Sequence, residues 1–185
     1  LTDIRFSRVA KQGSTWEGSL QMDLGAGDSV QIEHQSIYTV EHLQLSDGTV
    51  YDLAAGGTGG AGNDILVSGS GNRSYFGNGG NDVLIGGTGS NKLFGGLGND
   101  TYTHYSGGGA DNVSEWSGGG DDTVVFADVA SLTDIRFSRV AQQGATWKSS
   151  LQMDLGAGDS VQIGQQSISA YTVEHLQLSD GTVYD

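Results

Sequence analysis

The side chains best suited to bind a ligand are aspartates that recur at a regular spacing. Asp64, Asp82 and Asp100 are eighteen residues apart, and each ends a Gly-Asn-Asp triplet. A single triplet of this kind is typical of a solvated turn, but three in register indicate a shared role. Calcium takes about six to eight oxygen ligands at flexible geometry, and carboxylates suit it. The spacing therefore predicts a set of cation sites.

The composition favours the same partner. Aspartate plus glutamate outnumber lysine plus arginine by 22 to 8, which gives a net charge of −14. Nucleic acid and anionic membrane surfaces are excluded as partners because both require basic patches. The lack of cysteine removes thiolate sites, and four histidines give little support for zinc. No apolar run approaches the roughly 20 residues of a membrane span.

No arrangement of residues predicts catalysis. The sequence contains neither HExxH nor GxSxG, and no motif pairs a nucleophile with a base. Residues 57–62 match the dinucleotide-binding pattern GxGxxG, but that motif requires a strand before it and a helix after it. We therefore predict that this chain is not an enzyme.

The aspartates belong to a nine-residue repeat. Residues 59–103 divide without gaps into five units, and two looser units begin at Ser106 and Ser117 after small insertions. Each unit has a glycine-rich turn, a polar residue at the sixth place and an apolar or aromatic residue at the eighth. The eighth-place residues are Leu66, Tyr75, Leu84, Leu93, Tyr102, Val113 and Val124. Their recurrence argues against a flexible linker.

Over roughly Gly56 to Val125 this pattern resembles the nonapeptide repeat of the RTX family of secreted bacterial proteins, whose signature is GGxGxDxUx. The resemblance implies an all-β fold, a parallel β-roll in which each nonapeptide forms a turn and a short strand. Two nonapeptides make one coil, and calcium ions lie between turns stacked on one edge. Units an even number apart would then share an edge, so residues eighteen apart become neighbours.

The resemblance also implies which residues bind calcium. One column of sixth-place carboxylates would be extended by a fourth member once the insertions are counted, and carbonyls of turn glycines would add ligands. The implied ligands are Asp64, Asp82, Asp100 and Asp122, with Gly59, Gly77 and Gly95. Asn63, Asn81 and Asn99, at the fifth place, suit left-handed turn conformations and need not touch the ion.

The other edge departs from the family pattern. Its sixth-place residues are Arg73, Asn91 and, after an insertion, Asp111. We expect an asymmetric roll with well-formed calcium sites in the first column, whereas Asn91 and Asp111 are candidate ligands at a defective second edge. The charge of Arg73 suggests that it replaces a calcium ion there.

The repeats lie between two near-identical segments. Leu1–Asp52 recurs as Leu132–Asp185 with six substitutions and an insertion of Ser169 and Ala170. Alternating apolar residues around Gly-Ala-Gly-Asp and Ser-Asp-Gly predict β-hairpins. The segments resemble the haemolysin-type calcium-binding-related domain that accompanies RTX repeats. We therefore divide the chain into a flanking module (1–55), a β-roll (56–126) and a second flanking module (127–185), with the hairpins capping the roll.

These features predict a calcium-binding structural segment that calcium folds outside the cell. The resemblance implies a secreted bacterial protein that is exported by type I secretion. The duplication suggests neighbouring tandem repeats of the same protein as partners. An engineered duplication would look the same. One alternative is an adhesive or polysaccharide-binding module that presents Tyr102, Tyr105 and Trp116. Another is the non-catalytic part of a secreted hydrolase or epimerase.

Overall fold

The computed structural model describes residues 5–10, 18–25, 28–32, 42–44, 50–53, 57–68, 71–141, 149–164 and 172–185. The regular elements of these residues are β-strands and one short 3₁₀ helix, Leu132–Asp134, so the all-β prediction is confirmed. The strands are β1 Arg5–Ala10, β2 Gly18–Gly25, β3 Asp28–Ile32, β4 His42–Gln44, β5 Val50–Leu53, β6 Asp64–Val67, β7 Ser74–Gly79, β8 Val83–Ile85, β9 Lys92–Leu97, β10 Thr101–His104, β11 Ala110–Ser114, β12 Thr123–Phe126, β13 Arg136–Ala141, β14 Ser149–Gly156, β15 Asp159–Ile163, β16 His175–Gln177 and β17 Val183–Tyr184. No helix of the described residues is long and apolar enough to cross a membrane.

Successive repeats alternate between two parallel sheets. Strands β6, β8, β10 and β12 pair in parallel in one sheet, and β7, β9 and β11 pair in parallel in the other. Ile65 lies beside Val83, Val83 beside Thr101, and Thr101 beside Thr123. The predicted parallel roll, with two nonapeptides in each coil, is therefore confirmed.

The eighth-place residues form the core between the two sheets. All seven are buried and belong to one hydrophobic cluster. Side chains alternate along a strand, so the eighth place points inward while its neighbours on the same strand point outward. In β10, Tyr102 and His104 are buried whereas Thr101 and Thr103 are partly exposed. In β10 and β12 a second inward residue, His104 or Phe126, is buried as well, so one or two inward residues of each short strand fill the thin roll.

The stacked turns depend on glycine and on a second ladder of side chains. Gly98 has φ +114°, and a Cβ there would overlap the carbonyl oxygen of Gly80 in the coil before. Among the described residues, the only non-glycine residues with positive φ are Asn78 and Ala157, so the predicted left-handed conformation of the fifth-place asparagines was wrong. Their side chains instead accept from backbone N–H groups one coil later, such as Asn81 N–H to Asn63 Oδ1 at 2.7 Å.

The flanking segments form the predicted hairpins. Strands β2 and β3 pair antiparallel, as do β4 and β5, β14 and β15, and β16 and β17. The same strands also continue the sheets of the roll, because β5 pairs in parallel with β6, β15 with β11 and β16 with β12. The outer strands of the repeats are thereby paired at these ends. The division at residues 55 and 126 stays a prediction.

Candidate metal centre

The first column of sixth-place aspartates forms a continuous ladder along one edge of the roll. The backbone N–H of Asp64 donates to Asp82 Oδ1 at 2.7 Å, and that of Asp82 donates to Asp100 Oδ1 at 2.8 Å. The N–H of Asp100 donates to Asp122 Oδ1 at 2.8 Å, across 22 residues. The structure therefore brings the four predicted aspartates together, and the insertions before Asp122 preserve the stacking.

One carboxylate oxygen of each inner aspartate is left without a hydrogen bond. Among the buried side-chain nitrogen and oxygen atoms that the structure describes, those without a partner are Oδ2 of Asp82, Asp100 and Asp122, and Oγ of Ser150. A buried carboxylate oxygen with no donor is costly unless a cation compensates it. These three oxygens therefore mark places for positive charge.

The turn glycines leave room at the same places. A Cβ on Gly77 would overlap Asp82 Oδ2 and would lie 2.5 Å from the carbonyl oxygen of Gly95. A Cβ on Gly59 would likewise overlap Asp64 Oδ2 and lie 2.8 Å from the carbonyl oxygen of Gly77. A carboxylate oxygen of one turn and a carbonyl oxygen of the next thus converge where only glycine leaves space.

The three predicted glycines do not have the same surroundings. The carbonyl oxygens of Gly77 and Gly95 lie close to Asp64 Oδ2 and Asp82 Oδ2, at the positions that a Cβ on Gly59 or Gly77 would fill. The Gly59 carbonyl accepts a hydrogen bond from Asn78 Nδ2 at 2.8 Å. Binding of calcium by any one of these carbonyls stays a prediction.

The electrostatics show that the column favours protons in the absence of another cation. Burial raises the pKa of Asp82 to about 7, although the hydrogen bond from the Asp64 N–H opposes the shift. Burial also raises the pKa of Asp100 to about 7 and that of Asp122 to about 6. A cation bound between the turns would offset this desolvation and allow the carboxylates to ionise near neutral pH.

The donor set fits calcium. It consists of carboxylate and carbonyl oxygens, which calcium prefers, on turns whose spacing comes from backbone stacking. Asp64, Asp82, Asp100 and Asp122 would hold the ions together with the carbonyls of Gly77 and Gly95. Bound calcium would supply the positive charge that the buried oxygens lack.

The column ends at a residue of the second flanking segment. Glu174 Oε2 accepts a hydrogen bond from the Asp122 N–H at 2.8 Å, across 52 residues. Glu174 therefore takes the position that a further aspartate would occupy in another coil. Glu174 was not predicted from the sequence because it lies outside the nonapeptide pattern.

In the second column only some of the sixth-place residues are carboxylates. The Arg73 N–H donates to Asn91 Oδ1 at 3.2 Å, and the Asn91 N–H donates to Asp111 Oδ1 at 3.1 Å. The Asn91 amide nitrogen donates to the Gly86 carbonyl at 2.5 Å and lies 3.1 Å from Asp111 Oδ1. An uncharged NH₂ group thus occupies the place of a cation, while the Arg73 side chain is exposed.

A histidine lies next along this second column. His104 Nδ1 is 3.0 Å from Asp111 Oδ2, and Nε2 is 2.9 Å from Asp159 Oδ1, with all three residues buried. Burial alone would lower the pKa of His104, but the hydrogen bonds and charges of Asp111 and Asp159 outweigh it and raise the pKa above its usual value. When the imidazole is protonated, His104 is a counter-ion for these two carboxylates.

His104 was not identified as a functional residue from the sequence, although its position held a signal. It is the first residue of the two-residue insertion His104–Tyr105, which precedes the unit that begins at Ser106. The next insertion, Glu115–Trp116, also begins with an ionisable residue, and Glu115 is buried beside Asp100 and Asp122. The first insertion therefore places His104 in the second column, and the next insertion places Glu115 in the first column.

The three aromatic residues proposed as an adhesive surface differ in exposure. Tyr102 is buried in the core, and its hydroxyl donates a hydrogen bond to Glu115 Oε1. Tyr105 is partly exposed, and Trp116 is 43% exposed. The expectation that Tyr102 is presented to a ligand was wrong because its eighth-place position turns it inward.

Comparison with known families identifies the repeats. Residues 58–74 and 76–113 match the RTX calcium-binding nonapeptide repeat family, so the resemblance seen in the sequence is confirmed. Repeats of this family bind calcium ions and are not catalytic. Calcium is therefore the metal that this column is suited to hold.

The solved structures that resemble the chain include an epimerase subunit and a lipase. The solution structure of the AlgE6R3 subunit from the Azotobacter vinelandii mannuronan C5-epimerase is 21% identical, with 56% of this chain and 72% of that one covered and a TM-score of 0.29. The crystal structure of the extracellular lipase LipA from Serratia marcescens is 20% identical, with 100% of this chain covered and a TM-score of 0.34. The chain spans 31% of the lipase's length. No curated protein matches the chain.

Proposed function

We propose that this chain is a calcium-binding structural segment of a secreted protein, and that its roll folds when calcium fills the first column. The observation that carries the proposal is the set of three buried carboxylate oxygens, in Asp82, Asp100 and Asp122, that have no hydrogen-bond partner. Without ions the column repels itself or takes up protons. Bound ions neutralise it and hold successive turns together, so binding and folding become one process.

The energetics of a thin roll make such coupling effective. Each independent site contributes about 1.4 kcal/mol to folding when free calcium is tenfold above Kd. Three or four sites of this kind together approach the lower end of the net stability of a small domain, which is about 5–15 kcal/mol. Calcium would therefore decide whether the roll is folded.

The same coupling suits export. Extracellular calcium modules bind at roughly 10⁻⁴ to 10⁻³ M, so the segment would stay unfolded in a low-calcium cytosol and fold outside the cell. An unfolded chain is the form that a narrow secretion channel accepts. The RTX repeats support this proposal of type I secretion to an extracellular location.

We further propose that calcium occupies the first column and that the second column is independent of calcium. The three unpartnered aspartate oxygens all lie on the first column. On the second, the Asn91 amide and the His104 imidazole already contact the oxygens that an ion would bind. On this proposal Asn91 and Asp111 stabilise the roll through hydrogen bonds instead of calcium.

The flanking segments would serve as caps. Their hairpins pair with the outer strands of the repeats, and Glu174 ends the aspartate ladder. If the parent protein repeats this unit in tandem, neighbouring copies would meet through these caps. We expect any chemical reaction of the parent protein to belong to another domain.

A glycan-binding role is the second candidate, favoured by the exposed aromatic rings of Trp116 and Phe137, which are 43% and 48% exposed. Such rings can stack on sugars. Retention of the calcium-loaded chain on insoluble polysaccharides, lost in a Trp116→Ala variant, would support this role. Elution of both the wild-type chain and the Trp116→Ala variant in the void volume would eliminate this role.

The primary test is a calcium titration of the chelator-stripped chain, followed by far-ultraviolet circular dichroism. We expect a cooperative gain of β signal with calcium and none with an equal concentration of magnesium. Asp82→Ala, which removes one ladder oxygen and one free oxygen, should shift the midpoint to higher calcium. A stripped chain that is already folded and unchanged by calcium would show that the proposal is wrong.

A further inference from the structure

We call the space between two successive aspartates of the first column an interval. The last interval, between Asp100 and Asp122, contains a carboxylate that the nonapeptide pattern does not supply. Oxygen atoms of Asp100, Glu115 and Asp122 all lie within 4.8 Å of one another, and the three residues are buried. Asp100 and Asp122 are the sixth-place residues of two successive coils, whereas Glu115 comes from the insertion before Ser117. This interval therefore has three carboxylates where the preceding ones have two.

The insertion fixes the position of Glu115. The Gly119 N–H donates to the Trp116 carbonyl at 3.0 Å, which closes a tight turn directly after Glu115. The Tyr102 hydroxyl donates to Glu115 Oε1 and accepts from the Gly95 N–H at 2.7 Å. The Glu115 side chain is thus held against the inside of the column by the core residue of the preceding coil.

Several oxygen atoms converge beside Gly119. A Cβ on this glycine would lie 2.9 Å from Glu115 Oε2, 3.2 Å from Asp122 Oδ2 and 3.3 Å from the carbonyl oxygen of Gly96. Asp100 Oδ2 and Asp122 Oδ2 are buried and have no hydrogen-bond partner. The unpartnered oxygens indicate a ligand independently of the acidic cluster itself.

Three carboxylates lie close together in this buried group. Like charges at such short range repel one another, so a bound cation would be needed for all three to be ionised together.

We propose that Asp100, Glu115 and Asp122 form a three-carboxylate calcium site, different in kind from the two-aspartate intervals, in which Glu115 is a direct ligand. Calcium affinity rises with the number of charged ligands. This site therefore fills first, at about tenfold lower free calcium than the other intervals. The inference rests on the proposed calcium-binding function, but it can fail separately.

The test counts bound ions by native mass spectrometry while free calcium is set with a chelator buffer. The wild-type chain should take up one ion in an early step and the remaining ions at higher calcium. Glu115→Gln, which keeps the shape of the side chain, should lose the early step and still take up the later ions. Asp134→Asn removes an equal charge from an exposed position and should bind like the wild type.

A second variant keeps every carboxylate. Gly119→Ala places a methyl group against Glu115 Oε2 and should abolish the same early step, while Gly79→Ala, which has no atom within 4 Å of the new Cβ, should not. Retention of the early step in both Glu115→Gln and Gly119→Ala would overturn the inference and leave Glu115 as a buried neutral carboxyl group. Failure of the wild-type chain to bind any calcium would instead overturn the proposed function.

Discussion

The backbone N–H of Asp82 donates to Oδ1 of Asp100, one coil later, while Oδ2 of Asp100 has no hydrogen-bond partner. One oxygen of the carboxylate therefore joins two coils, and the other is left for a cation. The same relation holds between Asp100 and Asp122. On the proposed function, ion binding and coil stacking would act through the same side chains, and this would make folding cooperative.

Asp82→Asn should make folding less dependent on calcium, and it should not simply destabilise the roll. An asparagine keeps the Oδ1 acceptor for the Asp64 N–H, and its NH₂ group can bond to neighbouring oxygens as Asn91 does in the second column. We expect at least one ion fewer by native mass spectrometry and more β signal without calcium than in Asp82→Ala. Equal loss of structure in both variants would contradict the comparison with Asn91.

Gly77→Ala should remove one interval of the column. The added Cβ would overlap Asp82 Oδ2 and lie 2.5 Å from the Gly95 carbonyl oxygen, in the place of the cation. We expect the calcium midpoint in circular dichroism to rise about tenfold, equivalent to about 1.4 kcal/mol. Gly79→Ala is the matched control because its Cβ would enter open space. Equal midpoints for the two variants would show that the cation does not lie beside Gly77.

Acid should partly substitute for calcium. The pKa values of Asp82 and Asp100, raised to about 7 in the folded roll, lie above their usual value of 3.8. A raised carboxyl pKa favours the folded state below about pH 4, and this contribution is lost as pH rises through about 7. The calcium-free chain should therefore lose β signal between about pH 4 and pH 7, as measured by circular dichroism.

Calcium should reverse this loss at pH 8, and its apparent affinity should fall as the pH is lowered below 7. Both effects follow because protons and calcium compete for the same carboxylates. A calcium-free chain that gains structure as the pH rises from 4 to 8 would contradict the raised pKa values.

His104→Ala should destabilise the roll and convert the second column towards calcium binding. The substitution leaves the buried Asp111 and Asp159 facing each other without a counter-charge. Removal of one partner of such a buried pair costs about 3–5 kcal/mol, which urea unfolding would measure. We expect one additional bound ion and partial recovery of stability in excess calcium.

His175→Ala is the control for that experiment. His175 lies between Asp121 and Asp185, both exposed, so solvent screens its ion pairs. Its substitution should leave the ion count unchanged. If His104→Ala were no less stable than His175→Ala, His104 would not be the counter-ion of the second column.

Glu174→Ala should loosen the end of the roll. The Asp122 N–H would lose its charged acceptor, and a hydrogen bond to a charged group contributes about 1.5–3 kcal/mol. Urea unfolding at saturating calcium should show a loss of that order, whereas Glu174→Gln, which keeps an acceptor oxygen, should lose less. Identical stabilities of all three proteins would exclude a capping role for Glu174.

The sequence determined the features that depend on regular spacing. Residues eighteen apart became neighbours because two nonapeptides make one coil, so Asp64, Asp82 and Asp100 stack as their spacing predicts. The eighth place is buried in every unit because side chains alternate along each short strand. The hairpins of the flanking segments were also predictable, since alternation and turn residues are local signals.

Only the tertiary structure decided the positions of Glu115, His104 and Glu174. Glu115 and His104 lie in insertions that the nonapeptide repeat does not cover, and each turns into a different column. Glu174 reaches Asp122 across 52 residues through pairing of β16 with β12. Local spacing defines a repeating column of aspartates. The charged side chains that end this column or neutralise the second one come from contacts that form only when distant strands pair.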